Sequence, residues 1–369
     1  MVALRARELG ADVSTAALVA ALLGIGMLST SLPAGALVER IGERRTLVAA
    51  GFTQAVLMVV GAGLDSVPAL AIAVFAYGGA DTAFHIARQS FVIDAVPLSH
   101  RARAMATLGG SFRVGIVLGP LVGAAVIHLV DLSAVFVVAA ICSFGAGLLA
   151  VSVRDLEHSP DGAPVRRDPV RVHSVLWQSR KTLLTLGSAA FVIGVARSTR
   201  DGLVPLWANH IEVPASHVSL IFALVGLIEL ALFYPSGLII DRWGRRFSAV
   251  PVVLGIGLAC LALPLASNTA GFAAVLVVFA ASNGVGAGIL MTMGADTAPG
   301  VGRAHYLGAW RLCADSGKGA GPLSVAALAT VVPLGVTCFI VGAVMVLGTA
   351  WVTHWVRRLD ADLIKTRRA

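Results

Sequence analysis

Few side chains in this sequence can do chemistry, so those that can stand out. Of 369 residues, 57% are hydrophobic and only 13% are charged. Asp81, His85 and Arg88 lie at i, i+4 and i+7 within an apolar run, so a helix puts all three on one face. Arg311, Asp315 and Lys318 repeat that spacing, and Arg197, Arg200 and Asp201 share a face in a third run. Arg113 and Glu229 stand alone in theirs. An ionisable group in lipid costs at least about 2.5–3.5 kcal/mol, so each asks for a reason. Burial and a nearby cation both move a carboxylate's pKa, and a carboxylate so placed can load and release a proton. Asp81, Glu229 and Asp315 are the candidates, with Arg88, Arg113 and Arg311 as partners and Arg197 on the same kind of stripe. Each could equally be half of a structural ion pair, and the residues alone do not rank them. For Asp94, Asp296 and Arg200 the structural reading is favoured, since their side chains can snorkel to an interface. Taken together, three one-faced stripes predict a polar cavity.

Other chemistries lack their residues. The nine His are scattered, with no H-E-x-x-H, and no Walker-type glycine loop occurs. Cys142, Cys260, Cys313 and Cys338 all fall in apolar runs, with no spacing that signals a disulfide or a metal. The expectation is a non-enzyme with no cofactor and no metal.

The elements that hold these charges follow from composition. Soluble domains carry about 25% charged residues, so the solvent here is lipid. The apolar runs are near the ~20 residues that cross a bilayer as a helix. Eleven spans are expected: 14–38, 45–64, 67–95, 104–129, 132–153, 182–207, 216–240, 247–266, 270–293, 304–329 and 333–355. Residues 154–181 form a polar, basic linker. Alternate loops and the tail from 356 hold 20 of the 28 Lys and Arg, and the opposite loops hold none. That asymmetry places the charged loops and the C-terminus in the cytoplasm. It also accounts for most of the net charge of +8 without nucleic acid, although contact with anionic lipid fits it too.

Two charged turns interrupt the apolar pattern. PAGALVERIGERRTLVAAG (33–51) and YPSGLIIDRWGRRFSAV (234–250) align at an offset of 202. Gly35, Glu39, Arg40, Gly42 and Arg44 match Gly237, Asp241, Arg242, Gly244 and Arg246. Gly119-Pro120 and Gly321-Pro322 give the same offset, as do Arg101 and Arg303. The chain is therefore read as two copies of one unit in the same orientation, an architecture of transporters. The expected division is an N-terminal bundle at 1–153, the linker at 154–181, a C-terminal bundle at 182–356 and a tail at 357–369. The second copy has six spans, and the counterpart of its first would lie upstream of Met1. The sequence is thus expected to lack its first transmembrane helix.

This pattern resembles the major facilitator superfamily over essentially the whole chain. The family's turn motif is G-x-L-x-D-[RK]-x-G-[RK]-[RK]. It is met here by Gly35, Glu39, Arg40, Gly42, Arg44 and Arg45, with Glu39 in place of Asp and Glu43 in place of a base. The second copy, Gly237, Asp241, Arg242, Gly244, Arg245 and Arg246, keeps the acid and both bases. Gly115, Gly119, Pro120 and Gly123 resemble the antiporter signature G-x-x-x-G-P-x-x-G-G, with Ala124 in the last place. Arg88-Gln89 resembles the helix-four motif R-x-x-Q only loosely, because the spacing differs.

The resemblance implies an all-α polytopic membrane protein of two pseudo-symmetric six-helix bundles, eleven of the helices being visible. It implies a secondary transporter, monomeric, driven by the proton gradient and working by rocking alternating access. The antiporter-like motif points to efflux of small, drug-like molecules, and the setting to a bacterial inner membrane. The charged turns are expected to be latches, with glycines allowing close approach and the acid facing a helix N-terminus. The alternatives are a non-transporting sensor or scaffold, and an inactive truncated relative.

Overall fold

Long apolar runs closed by Gly, Asn or Pro leave the backbone one way to satisfy itself in lipid, which is helix. The computed structural model describes residues 2–97, 100–152 and 172–368, and every regular element there is helical. The helices are α1 (Val2–Glu8), α2 (Val13–Ile41), α3 (Glu43–Gly63), α4 (Val67–Ala95), α5 (Arg101–Leu129), α6 (Leu132–Ser152) and α7 (Val172–Gln178). They continue as α8 (Arg180–His210), α9 (Ala215–Trp243), α10 (Arg246–Ala262), α11 (Thr269–Val285), α12 (Ile289–Thr297), α13 (Arg303–Ala329) and α14 (Leu334–Arg368). Most of the expected linker, residues 154–171, lies outside the described residues.

Local signals set the ends. Asp12 caps α2, accepting from Thr15 N at 2.9 Å, and those hydrogen bonds hold its carboxyl below the usual carboxylate range. Gly42 ends α2 at φ +89° and Gly244 ends α9 at φ +100°, a region that side chains avoid. Both turns need a glycine there for the same backbone reason.

The eleven expected spans become nine among the described residues. The two outside that set are 104–129 and 304–329, and both are nonetheless continuous helices. For α13 the reason is charge: Arg303, Arg311, Asp315 and Lys318 leave it too polar to qualify on apolarity alone. For α5 several side chains, Arg113 and Pro120 among them, lie outside the described residues. The span expected at 270–293 is α11 and α12, broken at 286–288.

Contacts divide the chain into two units. Unit 1 comprises Met1–Ala95, Leu118–Ser179 and Ala298–Leu312; unit 2 comprises Val96–Val117, Arg180–Thr297 and Cys313–Ala369. Each unit thus includes one short segment from the other half of the sequence. In unit 1, α3 meets α6 where a Cβ on Gly51 would lie 2.7 Å from the Gly147 Cα, and Thr82 of α4 donates to the Met27 carbonyl of α2 at 3.3 Å. The start of α13 lies against α2, and a Cβ at Gly35 would collide with the carbonyl oxygen of Ala304. In unit 2, α10 lies on α14, with a Gly257 Cβ falling 3.0 Å from that of Met345. The start of α5 lies against α9 and the α11–α12 break: a Gly237 Cβ would lie 2.9 Å from that of Ala106, and a Gly288 Cβ 2.7 Å from the Ala106 Cα.

Candidate functional site

The first charged turn closes α2 in unit 1. Glu39, one turn before Gly42, accepts from the backbone N of Ala304 at 3.3 Å. That N–H belongs to the first turn of α13, where the helix leaves its amides without internal partners. Arg44 donates to the Val151 carbonyl at 2.6 Å, tying α3 to the end of α6, while Arg40 and Arg45 are exposed. Glu43 is buried and accepts from the Ser90 hydroxyl of α4 at 2.9 Å. Asp94, one turn further along α4, pairs with Arg303 of α13.

The second turn closes α9 in unit 2. Asp241 accepts from Arg103 Nε of α5 at 2.9 Å. Arg245 pairs with Asp296 of α12 at 2.8 Å, with 6% and 0% of the two side chains exposed. Asp360 of α14 accepts from the backbone N of Arg245 and of Arg246, at 2.9 and 3.1 Å, and so caps the start of α10. Arg242 and Arg246 are exposed and lie over Trp243 and Phe247.

Deeper in unit 1, the α4 stripe is a linked set. His85 Nε2 lies 3.6 Å from Asp81 Oδ1, and Arg88 Nη2 lies 2.9 Å from His85 Nδ1. A guanidinium can only donate, so Nδ1 must accept and the ring proton sits on Nε2, facing Asp81. This order joins carboxylate, neutral imidazole and guanidinium along one helix face. Arg88 also feels the charge of Arg311 on α13.

Elsewhere in unit 2, Glu229 of α9 gathers two side-chain donors. It accepts from Arg200 Nη1 at 2.6 Å and from Asn283 Nδ2 at 2.9 Å, and it is buried. Arg200 Nε lies 3.6 Å from Asp201. Arg197, one turn before Arg200 along α8, donates to the Gly286 carbonyl where α11 ends. A cation at the C-terminus of a broken helix is electrostatically favoured.

The remaining expected residues divide. Arg311 belongs to unit 1 and Asp315 and Lys318 to unit 2, so this stripe is carried by a helix that, like α5, has residues in both units. Gly115 and Gly119 of the antiporter-like motif have nothing within 4 Å of a Cβ, whereas Gly123 is buried. The side chains of Arg113 and Pro120 lie outside the described residues. Asp94, Asp296 and Arg200 hold Arg303, Arg245 and Glu229 as ion pairs. Arg103, Asn283 and Asp360 gave no warning in the sequence. For Arg103 the available signal was positional, since Arg103 and Arg303 sit in matching loops. Among the described residues, no group of three or more His, Cys, Asp or Glu is placed to hold a metal ion.

The sequence profile of the Major Facilitator Superfamily matches residues 1–322 and again 186–367. No curated protein matches the sequence. The fold is similar to that of the human organic anion transporter MFSD10 (TETRAN), with TM-score 0.78, 16% identity, and 95% of this chain and 88% of that one covered. It is also similar to the proton:xylose symporter XylE bound to 6-bromo-6-deoxy-D-glucose, with TM-score 0.73, 17% identity, and 93% and 86% covered.

Proposed function

The chain belongs to the major facilitator superfamily, and from that premise we propose that it is a proton-coupled secondary transporter exporting small molecules by alternating access. The proposed setting is a bacterial inner membrane, with the charged turns and the C-terminus in the cytoplasm and the protein acting as a monomer. The positive-inside distribution supports the orientation. One fold relative is a proton symporter, which makes proton coupling a reasonable premise for this scaffold. The antiporter-like Gly115, Gly119, Pro120 and Gly123 support the outward direction. On this reading the two turns are latches, made in the present structure and broken in the other half of the cycle.

One observation carries the proton coupling: buried Glu229 holds Arg200 and Asn283 at once. Protonation of Glu229 would remove the charge that holds Arg200 and weaken both hydrogen bonds, since a neutral carboxyl oxygen accepts less strongly than a carboxylate. Those donors would then be available to another acceptor or to a new helix position. A ligand or proton shifts a conformational equilibrium only through such a differential interaction.

The test is flux in proteoliposomes under an imposed pH gradient, with a panel of organic cations, organic anions and sugars. The expected result is gradient-driven accumulation of a member of the panel. In E229Q that accumulation should fall at least tenfold while exchange without a gradient persists. Undiminished gradient-driven accumulation in E229Q would remove Glu229 from the coupling step.

A further inference from the structure

A groove of about 680 Å³ runs between α10 and α14 in unit 2. One end is basic, with His354, Arg357 and Arg358, all exposed. The walls beyond it carry Leu254 of α10 and Val346 and Ala350 of α14, with Thr349 and Thr353, whose hydroxyls donate to carbonyls of their own helix. From Val346 to Ala361 is 15 residues of α14, or about 22 Å of helix. Half of a ~30 Å hydrocarbon core plus a headgroup layer has about that depth.

Among the described residues, the groove's lining includes His354, Arg357 and Arg358 and no acid. Two acids lie near along α14: Asp362, one turn beyond Arg358, and Asp360, which already accepts from two backbone amides at the start of α10. Arg358 lies 5.0 Å over the Trp355 ring, and Trp355 makes an edge contact with Trp351 at 5.7 Å. Tryptophan beside arginine is the composition of a membrane–water boundary. The basic end lies beside the start of α10, the end of the protein that carries the charged turns.

We propose that this groove binds an anionic glycerophospholipid. Its phosphate sits on Arg357 and Arg358 with His354 beside it, and one acyl chain lies along Leu254, Ala350 and Val346. Arginine meets phosphate oxygens with a planar fork of donors, which favours a phosphate over a point anion. The apolar length of the groove selects a lipid over free phosphate. This site faces outward on α10 and α14, apart from the Glu229 cluster, and stands whether or not the protein is coupled to protons.

The test uses the full chain in nanodiscs containing bromine-labelled acyl chains. Trp351 and Trp355 report quenching, and W351F/W355F identifies their share. Bromine-labelled phosphatidylglycerol is expected to quench them with a roughly tenfold preference over the phosphatidylcholine analogue, given two basic side chains at the surface. The preference should vanish in R357Q/R358Q. It should also vanish in A350F, which fills the groove and keeps both arginines, so the test survives if the arginine variant fails to fold. Excess inorganic phosphate should leave the preference intact. Equal quenching by the two lipids would overturn the proposal, and so would a preference that persists in both variants. Displacement by inorganic phosphate would overturn it as well, showing a bare anion site.

Discussion

The two charged turns share a backbone but not a wiring. Both end their helix on a positive-φ glycine, and both set a glycine of that helix tightly against another helix. Position 43 and its counterpart 245, however, carry opposite charges, Glu43 and Arg245. Asp94 and Asp296 also correspond at the offset of 202. In unit 2 Arg245 satisfies Asp296, and a buried pair ties α10 to α12. In unit 1 an acid stands where that arginine would be. Asp94 pairs instead with Arg303 of α13, and Glu43 takes the Ser90 hydroxyl. One charge reversal has thus moved an ion pair. In unit 2 it staples two helices of the same half of the sequence. In unit 1 it joins α4 to a helix from the other half, a contact that the proposed alternating access would break. The ion pair at this position thus lies within one half of the sequence in unit 2 and between the halves in unit 1, while the second turn reaches the other half through Asp241 and Arg103.

The largest expected effect tests the staple. R245A leaves Asp296 buried without its counter-charge, at a cost of about 3–5 kcal/mol. It should lower the unfolding temperature in detergent by many degrees. The double variant R245L/D296L should recover most of that loss, because no uncompensated charge remains. At the matching position E43A removes a charge-assisted hydrogen bond from Ser90, worth about 1.5–3 kcal/mol. Equal losses in R245A and E43A would mean that the two turns are wired alike after all.

A smaller effect sharpens the idea of a moved ion pair. E43R restores the base found in the other copy and offers Asp94 a partner on the neighbouring helix. The Asp94–Arg303 pair is partly exposed, at 28% and 20% of the side chains, so its coupling is about 1 kcal/mol at most. A double-mutant cycle with D94N and R303Q, read by thermal unfolding, should show that coupling in the native background. The same cycle in E43R should show it reduced toward zero. A coupling that E43R leaves unchanged would mean that Glu43 does not decide the pairing of Asp94.

The sequence made the turns legible because they depend on local rules. Glycine at positive φ and clustered arginine both leave a mark in a single stretch, and the 202 offset exposes the repeat. The departure at Glu43 was visible too. Its consequence was not, because it depends on Asp94 and Arg303, which lie far apart in the chain. The same limit hid Asn283, an uncharged residue in an apolar run that becomes a donor to Glu229 only through the packing of α11 on α9. The α11–α12 break was written as Gly284, Gly286 and Gly288, but hydropathy does not register a helix break that keeps its apolar character. Hydropathy also gave two more spans than the nine among the described residues, since it read α13 by length and passed over its four charges.

The smallest effect concerns the acid of each turn. Glu39 faces a backbone amide in the first turn of α13 at 3.3 Å, so its carboxylate acts on the helix dipole as well as on one N–H. Asp241 faces the side chain of Arg103 at 2.9 Å, and that side chain is 37% exposed. Neutralising Glu39 in E39Q should cost about 0.3–1 kcal/mol, with weak dependence on salt because helix amides are fixed in place. Neutralising Asp241 in D241N should cost a similar amount, about 0.2–1 kcal/mol at low salt, and nearly nothing at about 0.5 M, since a partly exposed ion pair is screened. Unfolding temperatures of both variants at low and high salt separate the two. If E39Q loses its effect in salt as fully as D241N, then Glu39 answers to a mobile side chain rather than to the start of α13. The first turn would then hold its helix by the same means as the second.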